Sequence, residues 1–369
     1  GKEKEDLNEE IYPIQSSRKT RIRGGLTFIS QGITNNETQF GGDGGDASLS
    51  IDLIFESELR QNGLLIVRGD FMRGDGLTRH PVLFSGGVNA DIEDFKANGT
   101  LEKNPDAFHL IEALYEQTWQ GERFRFSFGQ IDLTSYFDQN EFANSETFQF
   151  ISPLFVNNAA IGWGGDVNGY GPGLIFHAHP VKAFELNAGL FEGDGNYENV
   201  FNQPFWIVEV EYERHGGFEG HYRFIYWSNE TGHPEILNPA AVNTRNRGFS
   251  ISFDQALSER FGVWSRFGLQ DGKVSKFDHH VSLGLQIKNP FGRTDDVLGL
   301  AFGTTWISDA YHEKQAELDQ NEYAAEIYYN VRASNGLHIS PDLQYIANPG
   351  GNGHIGPITV YGVRAQLQF

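Results

Sequence analysis

Along most of this chain apolar and polar side chains alternate with a period of two, the spacing of a strand with two unlike faces. In SLSIDLIFESEL, Leu49, Ile51, Leu53 and Phe55 point one way, while Ser50, Asp52 and Glu56 point the other. In ERFRFSFGQ, Phe124, Phe126 and Phe128 oppose Arg123, Arg125 and Ser127. FWIVEVEYER sets Trp206, Val208, Val210 and Tyr212 against Glu209, Glu211 and Glu213, and GFSISFDQ and HVSLGLQIK repeat the pattern. Helical periodicity is nearly absent. The stretch PITVYGVRAQLQF alternates to its last residue, with Tyr361, Val363, Ala365, Leu367 and Phe369 on one face.

An apolar sheet face has to be covered, by a second sheet or by lipid. Lipid is favoured here because the strands run to about ten residues, the length a tilted strand needs to cross a bilayer. Phe and Leu dominate the apolar faces, and Tyr or Trp recurs near strand ends (Trp119, Tyr345, Tyr361), as in interfacial girdles. Short links such as 120–123, 179–182, 214–217 and 333–336 alternate with long ones such as 72–106, 132–171 and 228–245. Treating AIGWG at 160–164 as loop gives 16 strands and keeps all short links on one side. The expected fold is therefore all-β: a transmembrane antiparallel β-barrel of 16 strands over residues 20–369, preceded by a flexible periplasmic lead at 1–19. The last strand should pair with the first, TRIRGGLTFIS, because a free strand edge is not tolerated in hydrocarbon.

Composition agrees. Mean hydropathy is −0.43, yet the 369 residues include 30 Phe, 14 Tyr and 44 Gly. Low hydropathy with many aromatics suits a chain in which alternate residues face water and lipid. With no cysteine, disulfides and thiolate metal sites are excluded. A net charge of −21 offers no basic stripe to nucleic acid and leans towards cations at the mouths of a pore.

Strand parity sends Arg21, Arg23, Arg68, Arg123, Arg125 and Arg364 inward. Asp52, Glu56, Glu112 and Glu116 stand between them, although the alternation is less clean around Glu112 and Glu116. Opposite signs on neighbouring strands let guanidinium–carboxylate forks form across the ladder. The far wall carries Glu185, Glu209, Glu211, Glu326 and Asp342, relieved by Arg223 and Arg266. These charges either solvate a polar pore and hold one another in place, or form a constriction. Mixed signs suit a neutral polar solute better than a one-signed ion filter.

The loop at 132–171 is rich in aromatics, which should not stand in solvent, so it is expected to fold into the barrel. Tyr136, Phe137, Asp138, Asn140, Glu141, Phe148 and Trp163 are its candidate solute contacts, since sugar rings stack on aromatics and pair with carboxylates and amides. For most of these aromatics, gluing the loop to the inner wall is the preferred reading. Asp138 in DQNE and Asp194 in EGDGNYE are weak calcium candidates, and no other cofactor is expected. His177 and His179 share a strand face but come with no third metal ligand nearby in sequence, as do the adjacent His279 and His280. There is no GxSxG and no assignable Ser/His/Asp set, so no enzyme activity is expected.

FGQIDLTSYFDQNEFANSETFQFISP at 128–153 and PDLQYIANPGG…GVRAQLQF at 341–369 resemble the carbohydrate-selective porins of Gram-negative outer membranes, the OprB type. The resemblance implies a 16-stranded outer-membrane barrel with an inward loop, passive uptake of mono- or small oligosaccharides, and Arg and Glu at the constriction. Tyr361, Leu367 and Phe369 also resemble the C-terminal signal read by the barrel-assembly machinery. Partners expected on these grounds are small saccharides or other small polar solutes, outer-membrane lipid and that machinery, with the chain a monomer or homotrimer. The alternatives are a general, ion or organic-acid porin, a barrel enzyme, or a barrel that sheathes another protein.

Overall fold

A computed structural model describes residues 20–34, 44–59, 62–74, 76–79, 83–84, 86–95, 107–165, 169–198, 200–242 and 244–369; the lead expected at 1–19 lies outside them. The chain forms 16 strands in one closed antiparallel barrel, each strand hydrogen-bonded to its sequence neighbours. The first half comprises β1 (Thr20–Thr34), β2 (Gly44–Leu59), β3 (Gly63–Arg73), β4 (Ala107–Trp119), β5 (Phe124–Asp132), β6 (Tyr170–Val181), β7 (Phe184–Phe191) and β8 (Phe205–Arg214). The second half comprises β9 (Gly220–His233), β10 (Thr244–Ala256), β11 (Phe261–Leu269), β12 (Phe277–Lys288), β13 (Val297–Ile307), β14 (Glu322–Ser334), β15 (Leu337–Ala347) and β16 (Ile358–Gln368). No strand occurs at 160–164, so AIGWG belongs to the long loop as the alternation predicts.

The barrel closes through β1 and β16, in register from Gly25 opposite Gln368 to Thr34 opposite Thr359. Phe369 extends the ladder: its N–H donates to Gly24 O and its carbonyl accepts from Gly24 N, both at 2.9 Å. The Phe369 ring covers Gly24, where an added Cβ would stand 2.6 Å from a ring carbon. Glycine at this position lets an aromatic lie flat across the seam of the barrel.

The outward face carries exposed Phe28, Phe71, Phe108, Phe128, Phe224, Leu283, Phe302, Leu343 and Tyr361. In water such a belt would be an aggregation surface, whereas a bilayer covers it. Among the described residues no helix is long and apolar enough to cross a membrane; the strands cross.

The uneven parity of β4 has a local cause. Arg68 pairs with Glu112 but Gly69 pairs with Leu110, leaving Ile111 as the extra residue of a β-bulge. The bulge resets the alternation, so that Phe108 and Leu110 are exposed before it and Glu112, Leu114 and Glu116 are buried after it.

Candidate functional site

Among the described residues, two loops enter the barrel. The longer, between β5 and β6, begins at Asp132, whose Oδ1 accepts from Thr134 N at 2.9 Å and caps the first turn. Phe137, Phe142, Phe150 and Phe155 are buried against inward side chains of the wall. Phe150 meets Tyr328 edge-on with ring centres 4.9 Å apart and packs on Trp264 at 5.6 Å, while Phe137 meets Phe191 at 6.4 Å. Each buried Phe contributes roughly 1.5–3 kcal/mol, so these four rings are a large part of what holds the loop inside.

Polar anchors fix its path. The Arg266 guanidinium on β11 is fully buried; Nε donates to Asp138 Oδ1 at 3.1 Å, Nη1 to Phe155 O at 2.9 Å and Nη2 to Asp138 O at 3.0 Å. Asp138 N donates to Glu209 Oε2 at 2.9 Å, and Asn158 N donates to Asp138 Oδ2 at 2.6 Å. Glu326 on β14 accepts from Ile151 N at 2.6 Å and from Ser152 N at 3.0 Å. Arg364 on β16 donates from Nη1 to Glu146 O at 2.6 Å and to Gln149 O at 2.9 Å. Backbone groups with no ladder partner thus find charged partners on the wall.

The second inward segment lies within the β3–β4 connection, which the alternation marks only as a long link. Val88 O accepts from Gln31 Nε2 at 3.0 Å and Gln344 Nε2 at 2.9 Å, and Ser50 Oγ donates to Asp91 Oδ1 at 2.9 Å. Ala90 N donates to Ile151 O at 2.8 Å, joining the two loops. Its sequence signal is slight: Val88 and Ile92, both buried, in an otherwise polar run.

These contacts re-sort the predicted lumen residues. Glu209 and Arg364 bind loop backbone, and Glu211 is buried in an ion pair with Arg223 at 2.9 Å, so none of the three is an open pore group. Arg223 also pairs with Asp254 at 2.6 Å. Arg123 lies exposed in the turn before β5, donating to Pro180 O at 2.8 Å. Asp138 accepts from Arg266 Nε through Oδ1 and from Asn158 N through Oδ2. Asp194 Oδ2 accepts from Asn196 Nδ2 at 2.8 Å within its own exposed turn.

Charged groups that keep solvent access cluster on β1–β5. Arg23 pairs with Glu56, Arg21 reaches Glu58 at 3.2 Å at the strand ends, and Arg125 lies 3.6 Å from Glu116. Arg68 faces Glu112 across the ladder and reaches Asp132 Oδ2 at 3.4 Å and Ser135 Oγ at 3.3 Å. Asp52 stands opposite Asp70 on the neighbouring strand. From the loop, Tyr136 comes beside this wall. Burial, reinforced by the Glu112 and Glu116 carboxylates, pushes its phenol well up, so it stays a neutral hydroxyl.

The remaining predicted loop residues divide between the two roles. Glu141 is exposed, and Tyr136 and Trp163 are half-buried beside the apolar cluster. Asn140 is buried, its Nδ2 donating to Phe253 O at 3.3 Å. Phe148 packs edge-on against His338 with ring centres 5.2 Å apart.

Residues 33–369 match the profile of the carbohydrate-selective porin, OprB family. The chain belongs to this family. Among curated relatives, Porin AaxA of Chlamydia caviae is 25% identical over 295 residues, spanning 76% of this chain and 60% of that one. Porin B of Pseudomonas aeruginosa is 27% identical over 196 residues, spanning 48% of this chain and 38% of that one. The chain spans about three fifths of the length of the first curated relatives it matches. The high-pH structure of Pseudomonas putida OprB superposes with a TM-score of 0.80 over 95% of this chain and 94% of that one, at 16% identity, which shows a shared fold. Family and closed barrel together make this an outer-membrane β-barrel of a Gram-negative bacterium, of the porin class.

Proposed function

We propose that the protein is a passive channel for small neutral polar solutes, saccharides foremost. The carrying observation is the wall of β1–β5, where Arg23, Glu56, Arg68, the buried Glu116 and Arg125 alternate in sign, the other four keeping partial solvent access, beside the neutral phenol of Tyr136. Paired charges present many donors and acceptors without a net field, which suits hydroxyls better than ions. The phenol ring adds an apolar surface on which a pyranose face can stack. The family's description as carbohydrate-selective supports the same reading.

Single-channel current in planar bilayers, titrated with neutral mono- and disaccharides, tests it. The expected result is a steady open current blocked saturably by a sugar, with Tyr136→Ala raising the half-blocking concentration about tenfold, the equivalent of 1.4 kcal/mol. Open current insensitive to every sugar would instead indicate a general or ionic porin, the reading that the net charge of −21 favours. A sheath for another protein is disfavoured because two of the chain's own loops occupy the lumen.

A further inference from the structure

The structure assigns a transition-metal site to the β6–β7 hairpin, made by His177, His179 and Glu185. The donor atoms of these three side chains all lie within 4.8 Å of one another. His177 Nδ1 stands 3.1 Å from Glu185 Oε1 and His179 Nε2 stands 3.4 Å from Glu185 Oε2. The two imidazoles meet edge-to-face with ring centres 4.6 Å apart. Sequence spacing supplies only the two histidines; the third ligand comes from the neighbouring strand, where His177 is in register with Asn187 and Glu185 follows two residues nearer the turn. A register shift between Ala178 and Val181 accompanies this arrangement.

Two imidazole nitrogens and one carboxylate oxygen form a set suited to zinc, copper or nickel, while calcium and magnesium prefer all-oxygen shells. Ligand bonds of about 2.0–2.2 Å require the donors to close together, a movement within reach of side-chain torsions. Asn187 supplies outer support, donating from Nδ2 to Glu185 Oε1 at 3.0 Å. Its Oδ1 lies 2.5 Å from His177 Nδ1, so on metal binding it gives up that nitrogen or joins the shell as an oxygen ligand. His179 is about one-third exposed, which leaves an entry path and a coordination position for water.

The site stands at the end of the hairpin nearest the short link of residues 182–183, beside Arg125 opposite His177 and Glu211 opposite Glu185. A divalent ion bound there adds two positive charges to the lumen wall. Zinc should therefore lower cation conductance when added on the side of the short links.

The test titrates Zn2+ into full-length protein in detergent by calorimetry, with Co2+ absorption as a second readout that does not depend on transport. One equivalent bound per chain is expected, with the visible absorption of a low-coordinate cobalt site. His179→Ala and Glu185→Gln should weaken it at least tenfold, and His354→Ala, in an exposed turn of the β15–β16 connection, should leave it unchanged. Heat-modifiable migration verifies that each variant is folded, and Glu185→Gln preserves shape if the histidine variant does not fold. No saturable binding to the wild type, or equal binding to the folded variants, overturns the assignment. Either result leaves the channel reading to its own sugar titration.

Discussion

The ion pair of Arg266 with Asp138 separates what a charge does inside this barrel from what alternation says about it. Both side chains are fully buried, and the guanidinium spends its donors on the carboxylate and on loop carbonyls. Removing one partner of such a pair strands the other and costs about 3–5 kcal/mol, whereas removing both costs much less. Arg266→Met should therefore lower stability by about that amount in denaturant unfolding, and Arg266→Met with Asp138→Asn should recover more than half. If the single variant costs under about 1 kcal/mol, water already reaches the pair and the loop is held mainly by its phenylalanines. Parity alone could place Arg266 on the lumen side. It could not tell a pore residue from an anchor, because that depends on which loop lies above it.

At the level of elements, the strands were legible and the loops were only partly so. Alternation, link lengths and the exclusion of AIGWG lead to the observed 16-strand barrel because a sheet with lipid outside and water inside imposes its period on every strand. The one lapse, on β4, records a bulge at Ile111, which breaks period two by construction. Aromatic density revealed that the β5–β6 loop turns inward, but nothing comparable marks the segment around Val88, whose hold is by amides and hydroxyls. The metal ligands were half legible, since Glu185 joins the histidines only through strand pairing. Loop and barrel are separable in energy, as the barrel's ladder closes without the loop. Replacing residues 134–168 with a short Gly–Ser link should leave a barrel that still shows heat-modifiable migration, because Arg266, Glu326 and Arg364, buried under the loop in the native chain, are then uncovered and take water as partner. Its single-channel conductance should rise several-fold and saturable sugar block should disappear. A deletion variant that retains sugar block would move the solute contacts wholly onto the β1–β5 wall.

For the whole molecule, two kinds of selectivity operate at different ranges. The net charge of −21 acts on ions approaching the mouths through solvent, a long-range field that salt screens. The Debye length falls from about 10 Å at 0.1 M salt to about 3 Å at 1 M, so a field from the mouths fades over that interval. Reversal potentials in KCl gradients should show potassium preferred over chloride at about 0.1 M, with the ratio falling towards unity near 1 M. A ratio that holds at high salt would place ionic selection at contact distance, on groups such as the half-buried Asp52. Sugar block should behave in the opposite way. Hydrogen bonds to a neutral solute are made at contact, and the pairs that offer them, Arg23 with Glu56 and Arg125 with Glu116, hold each other within the ladder. The half-blocking sugar concentration should then change less than about threefold across the same salt range, within which a purely electrostatic mouth effect is lost. Salt dependence of the current with salt independence of the block is the combined signature of an acidic mouth leading to a charge-balanced wall.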